Sequence, residues 1–304
     1  MTYPYFPGCS LQGMASEYDQ SARGVCQRLG VTLQEAPNWV CCGATPAHAT
    51  HHLLSIALPA KSLAEVWKDQ QGSSAPSPTL VAACAACYSR LRTANYEMRH
   101  DSDLCRQVQQ VAEIDYAGQV EVRHLLDVLR HDVGLEAIRE RVTRPLEGLK
   151  VACYYGCLLV RPPKVVAFDD PENPQIMDEL LTAAGATCVD WPYRTECCGG
   201  NFSLSRPDVV RKLVNDLLRE AQEAGAEAIA VACPLCQNNL DLRQADAAKA
   251  YGRDYHLPVL YFTQLLGWAL GLEARELGLE RLIVSPQALL QRFAARPATP
   301  AAAS

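Results

Sequence analysis

The 304-residue sequence predicts an α/β fold of two tandem, internally duplicated α/β units, each with a small, mainly parallel sheet flanked by helices. Two observations predict this fold. Short apolar runs alternate with longer stretches of helical periodicity, a pattern typical of parallel strands with helices packed on their faces. The same motifs also occur twice in the same order, roughly 150 residues apart, which indicates a repeated structural unit.

The repeat consists of three cysteine motifs in each half of the chain. They are FPGCSL at 6–11, VCCGA at 40–44 and LVAACAACYSRL at 80–91, then YYGCLL at 154–159, ECCGG at 196–200 and IAVACPLCQNNL at 229–240. We therefore expect a first CCG unit over residues 1–145 and a second over residues 146–286. The remaining residues, 287–304, end in RPATPAAAS and are expected to form a disordered tail.

Three apolar strands are predicted in each unit, and each leads into one of the cysteine motifs. They are Tyr3–Phe6, Val31–Glu35 and Thr79–Ala83 in the first unit, and Lys150–Tyr155, Thr187–Asp190 and Ala228–Ala232 in the second. Gly30 and Gly185 stand where the preceding helices would end. Because ligands collect at the carboxyl edge of parallel sheets, the motifs are expected to meet there. The polar stretch GSSAPSP at 72–78 is predicted to be a loop.

The composition argues against several classes of protein. The formal charge is −6 at pH 7, and no stripe of basic residues interleaved with aromatic residues occurs. Both features argue against a nucleic-acid binder. No apolar run reaches the ~18 residues of a membrane-spanning helix. The first residues, MTYP, lack the basic and apolar regions of a signal peptide, so we expect a cytoplasmic protein.

The cysteines are the informative part of the sequence. Fourteen cysteines in a chain expected in a reducing compartment indicate metal binding or redox chemistry rather than a disulfide framework. Ten of them form two matching sets of five, which we predict to be metal ligands. The sets are Cys9, Cys41, Cys42, Cys84 and Cys87 in the first unit, and Cys157, Cys197, Cys198, Cys233 and Cys236 in the second.

The number of cysteines in each set separates the possible chemistries. A structural zinc ion needs only four thiolates, so zinc would explain the spacing but leave one cysteine over in each set. A thioredoxin-like CxxC dithiol would leave three unexplained. Iron–sulfur clusters with thiolate ligands accommodate all five. A fifth thiolate suggests an unusual cluster geometry or a displaceable ligand, and either would suit a site that binds a substrate sulfur.

Four cysteines fall outside the two sets. Cys26 and Cys105 lie in helix-like stretches and Cys188 in a strand, and we expect all three to be packed like small apolar side chains. Cys153 lies four residues before Cys157. Aligning the Gly-Cys pairs of the two units selects Cys157 as the ligand and leaves Cys153 in the strand.

Other polar residues near the motifs offer further chemistry. Three histidines after the first CCG could donate a proton to a thiolate or simply cap a helix, namely His48, His51 and His52. Three basic residues near the second set could attract an anionic substrate or remain solvated, namely Arg161, Lys164 and Arg206.

Taken together, these motifs resemble the family of the heterodisulfide reductase B subunit, the CCG-domain iron–sulfur proteins. The resemblance covers residues 1 to about 286 and rests on FPGC, both CCG motifs, both CxxC motifs, and YYGCLLVRP followed by FDDPENP. The interval between CC and CxxC is longer than the family's in the first unit and slightly shorter in the second. The loop at 72–78 can absorb the first excess.

The resemblance implies two non-cubane 4Fe–4S clusters, one held by each five-cysteine set, which together reduce or form a disulfide of small thiols. The same ten cysteines would then be the catalytic residues. Electrons would come from a ferredoxin-type iron–sulfur subunit similar to the family's C subunit, with a flavin-containing subunit similar to its A subunit in the complex. This sequence has no C-x-x-C-x-x-C-x-x-x-C-P run of its own, which also points to a partner as the electron source.

Two alternatives remain open from the sequence. The chain could be an electron-relay subunit, similar to the CCG subunit of atypical succinate dehydrogenases, whose clusters pass electrons without cleaving a sulfur bond. It could also be a zinc-stabilised interaction module, which would be colourless.

Overall fold

Two four-stranded sheets, each wholly parallel, organise the chain in the computed structural model, which describes residues 1–44, 46–71 and 78–294. The first sheet has the order β2-β1-β3-β4, with β1 (Thr2–Phe6), β2 (Thr32–Glu35), β3 (Thr79–Ala82) and β4 (Glu121–His124). The second has the order β6-β5-β7-β8, with β5 (Lys150–Tyr154), β6 (Thr187–Cys188), β7 (Ala228–Val231) and β8 (Val259–Tyr261). The predicted α/β fold of two tandem units is confirmed.

Helices flank both sheets. Those of the first half are α1 (Gly8–Gln12), α2 (Ser16–Arg28), α3 (Pro46–Thr50), α4 (His52–Gln70), α5 (Ala85–His100), α6 (Ser102–Ala112), α7 (Leu125–Val128) and α8 (Leu135–Arg139). Those of the second half are α9 (Gly156–Val160), α10 (Pro163–Val166), α11 (Ile176–Ala183), α12 (Pro207–Glu223), α13 (Pro234–Leu242), α14 (Gln244–Tyr251), α15 (Phe262–Ala269) and α16 (Gln287–Ala294). Gly30 and Gly185 follow α2 and α11 with φ of +75° and +94°, as the predicted helix ends require.

The fourth strand of each sheet is missing from the sequence-based assignment. β4 contains the polar residues Glu121 and Arg123, and β8 is only three residues long. Neither therefore presents the apolar run by which the other strands were recognised. The central strand β7 shows the opposite character, because all four of its residues are buried, as expected of a parallel strand covered on both faces.

The two units pack directly against each other. The ring of Tyr18 in α2 stacks on that of Tyr261 at the end of β8, with centroids 4.0 Å apart and planes 5° apart. The hydroxyls of Ser21 and Thr263 are hydrogen-bonded at 2.7 Å in the same interface. The first unit is thereby fixed relative to the second by contacts that are fully buried.

The prediction that residues 287–304 form a disordered tail is wrong for residues 287–294. Residues 287–294 form α16, because Leu290 and Phe293 find apolar neighbours and are 1% and 3% exposed. The rest of that segment, 295–304, lies outside the described residues, as does most of the predicted loop at 72–78. The predicted boundary between residues 145 and 146 stays a prediction, although the sheets fall on either side of it.

Candidate metal centre

The predicted ligand cysteines lie at the carboxyl edges of the two sheets. Cys9 is in α1 directly after β1, and Cys84 stands between β3 and α5. Cys157 and Cys233 follow β5 and β7 in the same way. In each sheet these two strands are central neighbours whose order departs from chain order, and open parallel sheets bind ligands at such a point.

The first five-cysteine set is closed on its inner side and open on its outer side. The Sγ atoms of Cys9 and Cys41 are 3.9 Å apart, and those of Cys42 and Cys87 are 3.3 Å apart. Cys9 and Cys41 are exposed, whereas Cys42, Cys84 and Cys87 are buried. An inorganic group held by this set would therefore keep one accessible face.

The second five-cysteine set surrounds a cavity of about 120 Å³, and all five of its cysteines contribute to the lining. The Sγ atoms of Cys198 and Cys236 are 3.5 Å apart. Cys197 is exposed and Cys157 is half-buried, while the other three are buried. The second set thus repeats the gradient from buried to exposed that the first set shows.

Glycines leave room for the sulfur atoms in both sets. Gly8 has φ of +69°, and a Cβ added there would lie 2.8 Å from Sγ of Cys87. Gly156 has φ of +65°, and a Cβ there would lie 3.3 Å from Sγ of Cys236. Only glycine combines this backbone conformation with so close an approach. Converging thiols and a backbone without side chains form a cradle that fits a bulky group with several sulfur ligands.

A backbone amide donates to a cysteine sulfur in each CCG motif. The N–H of Gly43 donates to Sγ of Cys41 at 3.4 Å, and that of Gly199 donates to Sγ of Cys197 at 3.3 Å. A hydrogen bond from Cys157, helped by the Gly199 amide, lowers the pKa of Cys197 to about 6. Because the thiolate is the form that binds metal, this side chain is prepared for ligation.

A buried cation lies beside the first set. Arg90 is 8% exposed, and its NH1 donates to Nδ1 of His48 at 2.6 Å. In the described part of the chain its Nε has no hydrogen-bond partner and its guanidinium forms no ion pair. Hydrogen bonding with Cys41 and Cys87, and more weakly the charge of Arg90, lower the pKa of Cys42 well below its usual range. The negative charges that act on Arg90 are those of Glu97 and, more weakly, of Cys42 in the sulfur set.

The two five-cysteine sets meet where β3 and β7 end. Although they belong to different units, Cys84 and Cys233 lie near enough to shift each other's pKa, which is raised well above its usual range for Cys84 and lowered well below it for Cys233. Beside them, the N–H of Ala85 donates to the carbonyl of Ala232 at 3.1 Å. The two sets therefore lie next to each other at the interface between the units.

A buried histidine supports the backbone next to this contact. Nε2 of His124 lies 2.7 Å from the carbonyl of Ala83, which also accepts from the hydroxyl of Tyr18 at 2.6 Å. Nδ1 of His124 accepts from the N–H of Leu126 at 3.2 Å. The neutral ring with its proton on Nε2 satisfies both contacts. Burial lowers the pKa of His124 to about 4.

His124 is expected to make the folded chain sensitive to acid. Below pH 6.5 the unfolded chain protonates this histidine, whereas the folded chain stays neutral down to about pH 4. The free energy of unfolding should therefore fall by about 2 kcal/mol from pH 6.5 to pH 5 on account of this residue. Urea unfolding at both pH values should show a smaller decrease in His124→Asn. The exposed His256→Asn should keep the wild-type decrease, and an equal decrease in all three proteins would contradict the assignment.

The other predicted polar residues have ordinary partners. His51 caps α4 by accepting from the N–H of Leu54 at 3.2 Å, as the capping alternative predicts. His52 pairs with Glu97 at 3.0 Å. Among the basic residues, Arg161 and Arg206 form ion pairs at 3.0 Å and 2.9 Å with Glu172 and Asp208, respectively, and Lys164 is exposed.

The cysteines outside the two sets divide into two kinds. Cys26 and Cys105 are 1% and 8% exposed and pack in the core, as predicted. Cys153 and Cys188 lie on the neighbouring strands β5 and β6, with their Sγ atoms 3.7 Å apart and close to the carboxylate of Asp178. Cys188 is thus not the packed apolar side chain that the sequence predicts, and its contact with Cys153 follows only from the pairing of β5 with β6.

A family model identifies the class of protein that this fold and site define. The cysteine-rich domain named CCG matches residues 3–92 and 151–241, one match in each unit. The chain belongs to the CCG cysteine-rich domain family and, within it, to the group that includes the B subunit of heterodisulfide reductase.

Two relatives are similar to this chain over more than nine-tenths of its length. The chain is 33% identical over 283 residues to the 8-methylmenaquinol:fumarate reductase membrane anchor subunit of Wolinella succinogenes, with 93% of this chain and 96% of that protein covered. It is 30% identical over 282 residues to the B subunit of the ferredoxin:CoB-CoM heterodisulfide reductase of Methanosarcina mazei, with 91% of each covered.

A solved structure supports the fold alone. A hypothetical protein from Helicobacter pylori superposes with a TM-score of 0.70 at 13% identity, over 93% of this chain and 52% of that chain. Among the described residues, no helix has the length and apolar character needed to cross a membrane.

Proposed function

We propose that this chain is the iron–sulfur subunit of a reductase complex, and that the ten cysteines of its two sets hold two 4Fe–4S clusters of non-cubane type. The reaction would be the reduction, or the reverse formation, of a disulfide between small thiols. Reduction consumes two electrons and two protons for each disulfide. The observation that supports this most is the meeting of the two five-cysteine sets, where the N–H of Ala85, next to Cys84, donates to the carbonyl of Ala232, next to Cys233, at 3.1 Å.

The relatives support the same class of function. One is named as the B component of a CoB-CoM heterodisulfide reductase and the other as a component of a fumarate reductase, and both names describe parts of redox complexes. When bound, the clusters would supply one-electron chemistry and iron sites for sulfur. By this proposal electrons reach the chain from a ferredoxin-type partner, with a flavin-containing partner further along, in the cytoplasm.

The buried and the exposed cysteines of each set would have different roles in this reaction. The buried Cys42, Cys87 and their counterparts would hold each cluster on its inner side, away from water. The exposed Cys9 and Cys41 leave the outer side open for a substrate. The contact between the sets keeps both within reach of one disulfide, so that each substrate sulfur could be taken up beside a different set.

A second candidate function rests on the fumarate reductase relative. By that proposal the chain relays electrons in a complex that acts on fumarate or succinate, and no disulfide is cleaved. The 33% identity to that relative, over nearly the whole of both chains, supports this electron-relay function. The two proposals differ in whether a thiol reaches the metal, which can be measured directly.

The test combines metal analysis with EPR on anaerobically purified protein. We expect about eight irons and as many sulfides per chain. A new paramagnetic signal on adding a small thiol under oxidising conditions would support disulfide chemistry. The same metal content without any effect of thiol would favour the electron relay. A colourless protein with about two zinc ions, still unchanged after anaerobic reconstitution, would overturn both and leave a structural module.

The guanidinium of Arg90 should raise the reduction potential of the cluster held by the first set. In the second set Asn239 occupies the position of Arg90 and donates to the carbonyl of Cys198 at 2.6 Å. Because a cation stabilises the more negative reduced state, Arg90→Gln should lower the reduction potential of the first set by on the order of 60 mV. Redox titration followed by EPR would measure this.

Arg92→Gln is the matched control, because it removes the same charge from the same helix but its Nε donates to the carbonyl of Val165. The reduction potentials of the Arg92→Gln variant should equal those of the wild type. If Arg90→Gln and Arg92→Gln shift the potential equally, the specific role of Arg90 is wrong.

A further inference from the structure

The second unit contains a cluster of ligand-type side chains that the two five-cysteine sets do not use. Cys153 comes from β5, Cys188 from β6 and Asp178 from α11. One potential ligand atom from each lies within 4.8 Å of the others. Cys153 is fully buried and Asp178 is 8% exposed, while Cys188 is half-buried and gives the cluster an open side.

We propose that Cys153, Cys188 and Asp178 form a separate site for one divalent cation of the zinc class. Two thiolates and one carboxylate are a donor set that suits zinc, and water would complete a tetrahedron. The two sulfur atoms are 3.7 Å apart. A tetrahedral ion with Zn–S bonds of about 2.3 Å places its sulfur ligands about 3.8 Å apart, so the thiols are already at the spacing of bound ligands.

The charges of the cluster also favour a divalent ion. Binding would release the two thiol protons to solvent and leave three negative charges on the ligands. The guanidinium of the buried Arg194 lies 3.8 Å from the Asp178 carboxylate and supplies one positive charge; its other ion-pair partner, Asp190 at 3.2 Å, is fully exposed to solvent and lies outside the cluster. A divalent cation supplies the other two, and the buried site becomes neutral.

A disulfide between Cys153 and Cys188 is the competing interpretation. It would require the sulfur atoms to close from 3.7 Å to about 2.05 Å and would give the carboxylate no role. The carboxylate, however, is held in place. The hydroxyl of Tyr155 donates to Oδ2 of Asp178 at 2.6 Å and accepts the N–H of Met177 at 2.8 Å. Such oriented carboxylates are typical of metal ligands.

The cluster is connected to the second five-cysteine set through the backbone. The carbonyl of Arg194 accepts the N–H groups of Tyr155 and Gly156, at 2.9 Å and 3.1 Å, immediately before Cys157. A bound cation would therefore brace the turn that positions Cys157. The proposed cation is independent of the iron, because it shares no ligand with either set.

The test is zinc analysis of the full-length chain carrying its iron, after anaerobic incubation with zinc sulfate and desalting. Wild-type protein should retain about one zinc ion per chain more than Cys188→Ser, with equal iron in both. Asp178→Asn, which keeps the shape of the side chain, should weaken zinc binding on the order of 10- to 100-fold in a chelator competition. Cys105→Ser removes a cysteine elsewhere and should retain the wild-type zinc.

Two results would overturn the site. One is equal zinc in wild-type protein and Cys188→Ser. The other is a peptide map of the anaerobic wild type that shows Cys153 and Cys188 joined as a disulfide. The zinc difference between variants can be read even if the chain binds no iron, so failure of this site and failure of the proposed function are distinguishable.

Discussion

Replacing Cys198 with alanine is expected to remove about half of the bound iron, because the second set loses a buried ligand while the first set keeps all five of its own. Cys42→Ala should have the mirror effect on the first set. Both changes remove a thiol whose Sγ lies within 3.5 Å of a second cysteine of its set. Iron and sulfide analysis of anaerobic protein, with EPR to show which signal remains, measures the effect.

Cys26→Ala provides the matched control for these two variants. Cys26 is 1% exposed and packs in the core, away from both sets. Its truncation should cost on the order of 1 kcal/mol of unfolding free energy and leave the iron content unchanged. Loss of iron in Cys26→Ala, or full iron in Cys198→Ala, would show that the ligand assignment is wrong.

Gly8→Ala should prevent the first set from assembling although it changes no cysteine. The new methyl group would lie 2.8 Å from Sγ of Cys87, and that sulfur must move for it to fit. The left-handed backbone adds a penalty of roughly 1–2 kcal/mol. We therefore expect the iron content to fall by about half, with the remaining signal that of the second set.

The effect of the backbone conformation can be separated from the effect of the contact. Gly30 has φ of +75°, close to the +69° of Gly8, but a Cβ at Gly30 would meet nothing within 4 Å. Gly30→Ala should lower thermal stability by a similar strain penalty and keep its iron. Equal iron content in the two variants would contradict the argument that Gly8 makes room for Cys87.

The sequence was sufficient to predict the two units and the convergence of each cysteine set. This worked because a strand that ends in Gly-Cys or CxxC brings its cysteine to the sheet edge whatever the surrounding loops do. The apolar runs of β1 and β7 were equally clear. The short fourth strands were not, because β4 and β8 are recruited by pairing with β3 and β7 rather than by their own pattern.

Other features depend on contacts between distant residues that no local pattern encodes. The meeting of the two cysteine sets follows from how the units pack, with Tyr18 stacked on Tyr261 in their interface. Arg90 looks like any arginine of an amphipathic helix until its burial is known. The contact of Cys153 with Cys188 requires the register of β5 against β6.

Because the two units are joined in one chain, their sequences can change independently, which is impossible in a dimer of identical subunits. In a symmetric dimer every mutation alters both centres at once. Here the halves already diverge at their contact: Ala85 donates its N–H across the interface, whereas Pro234 at the corresponding position has no N–H to return. A mutation can therefore alter one five-cysteine set and leave the other unchanged.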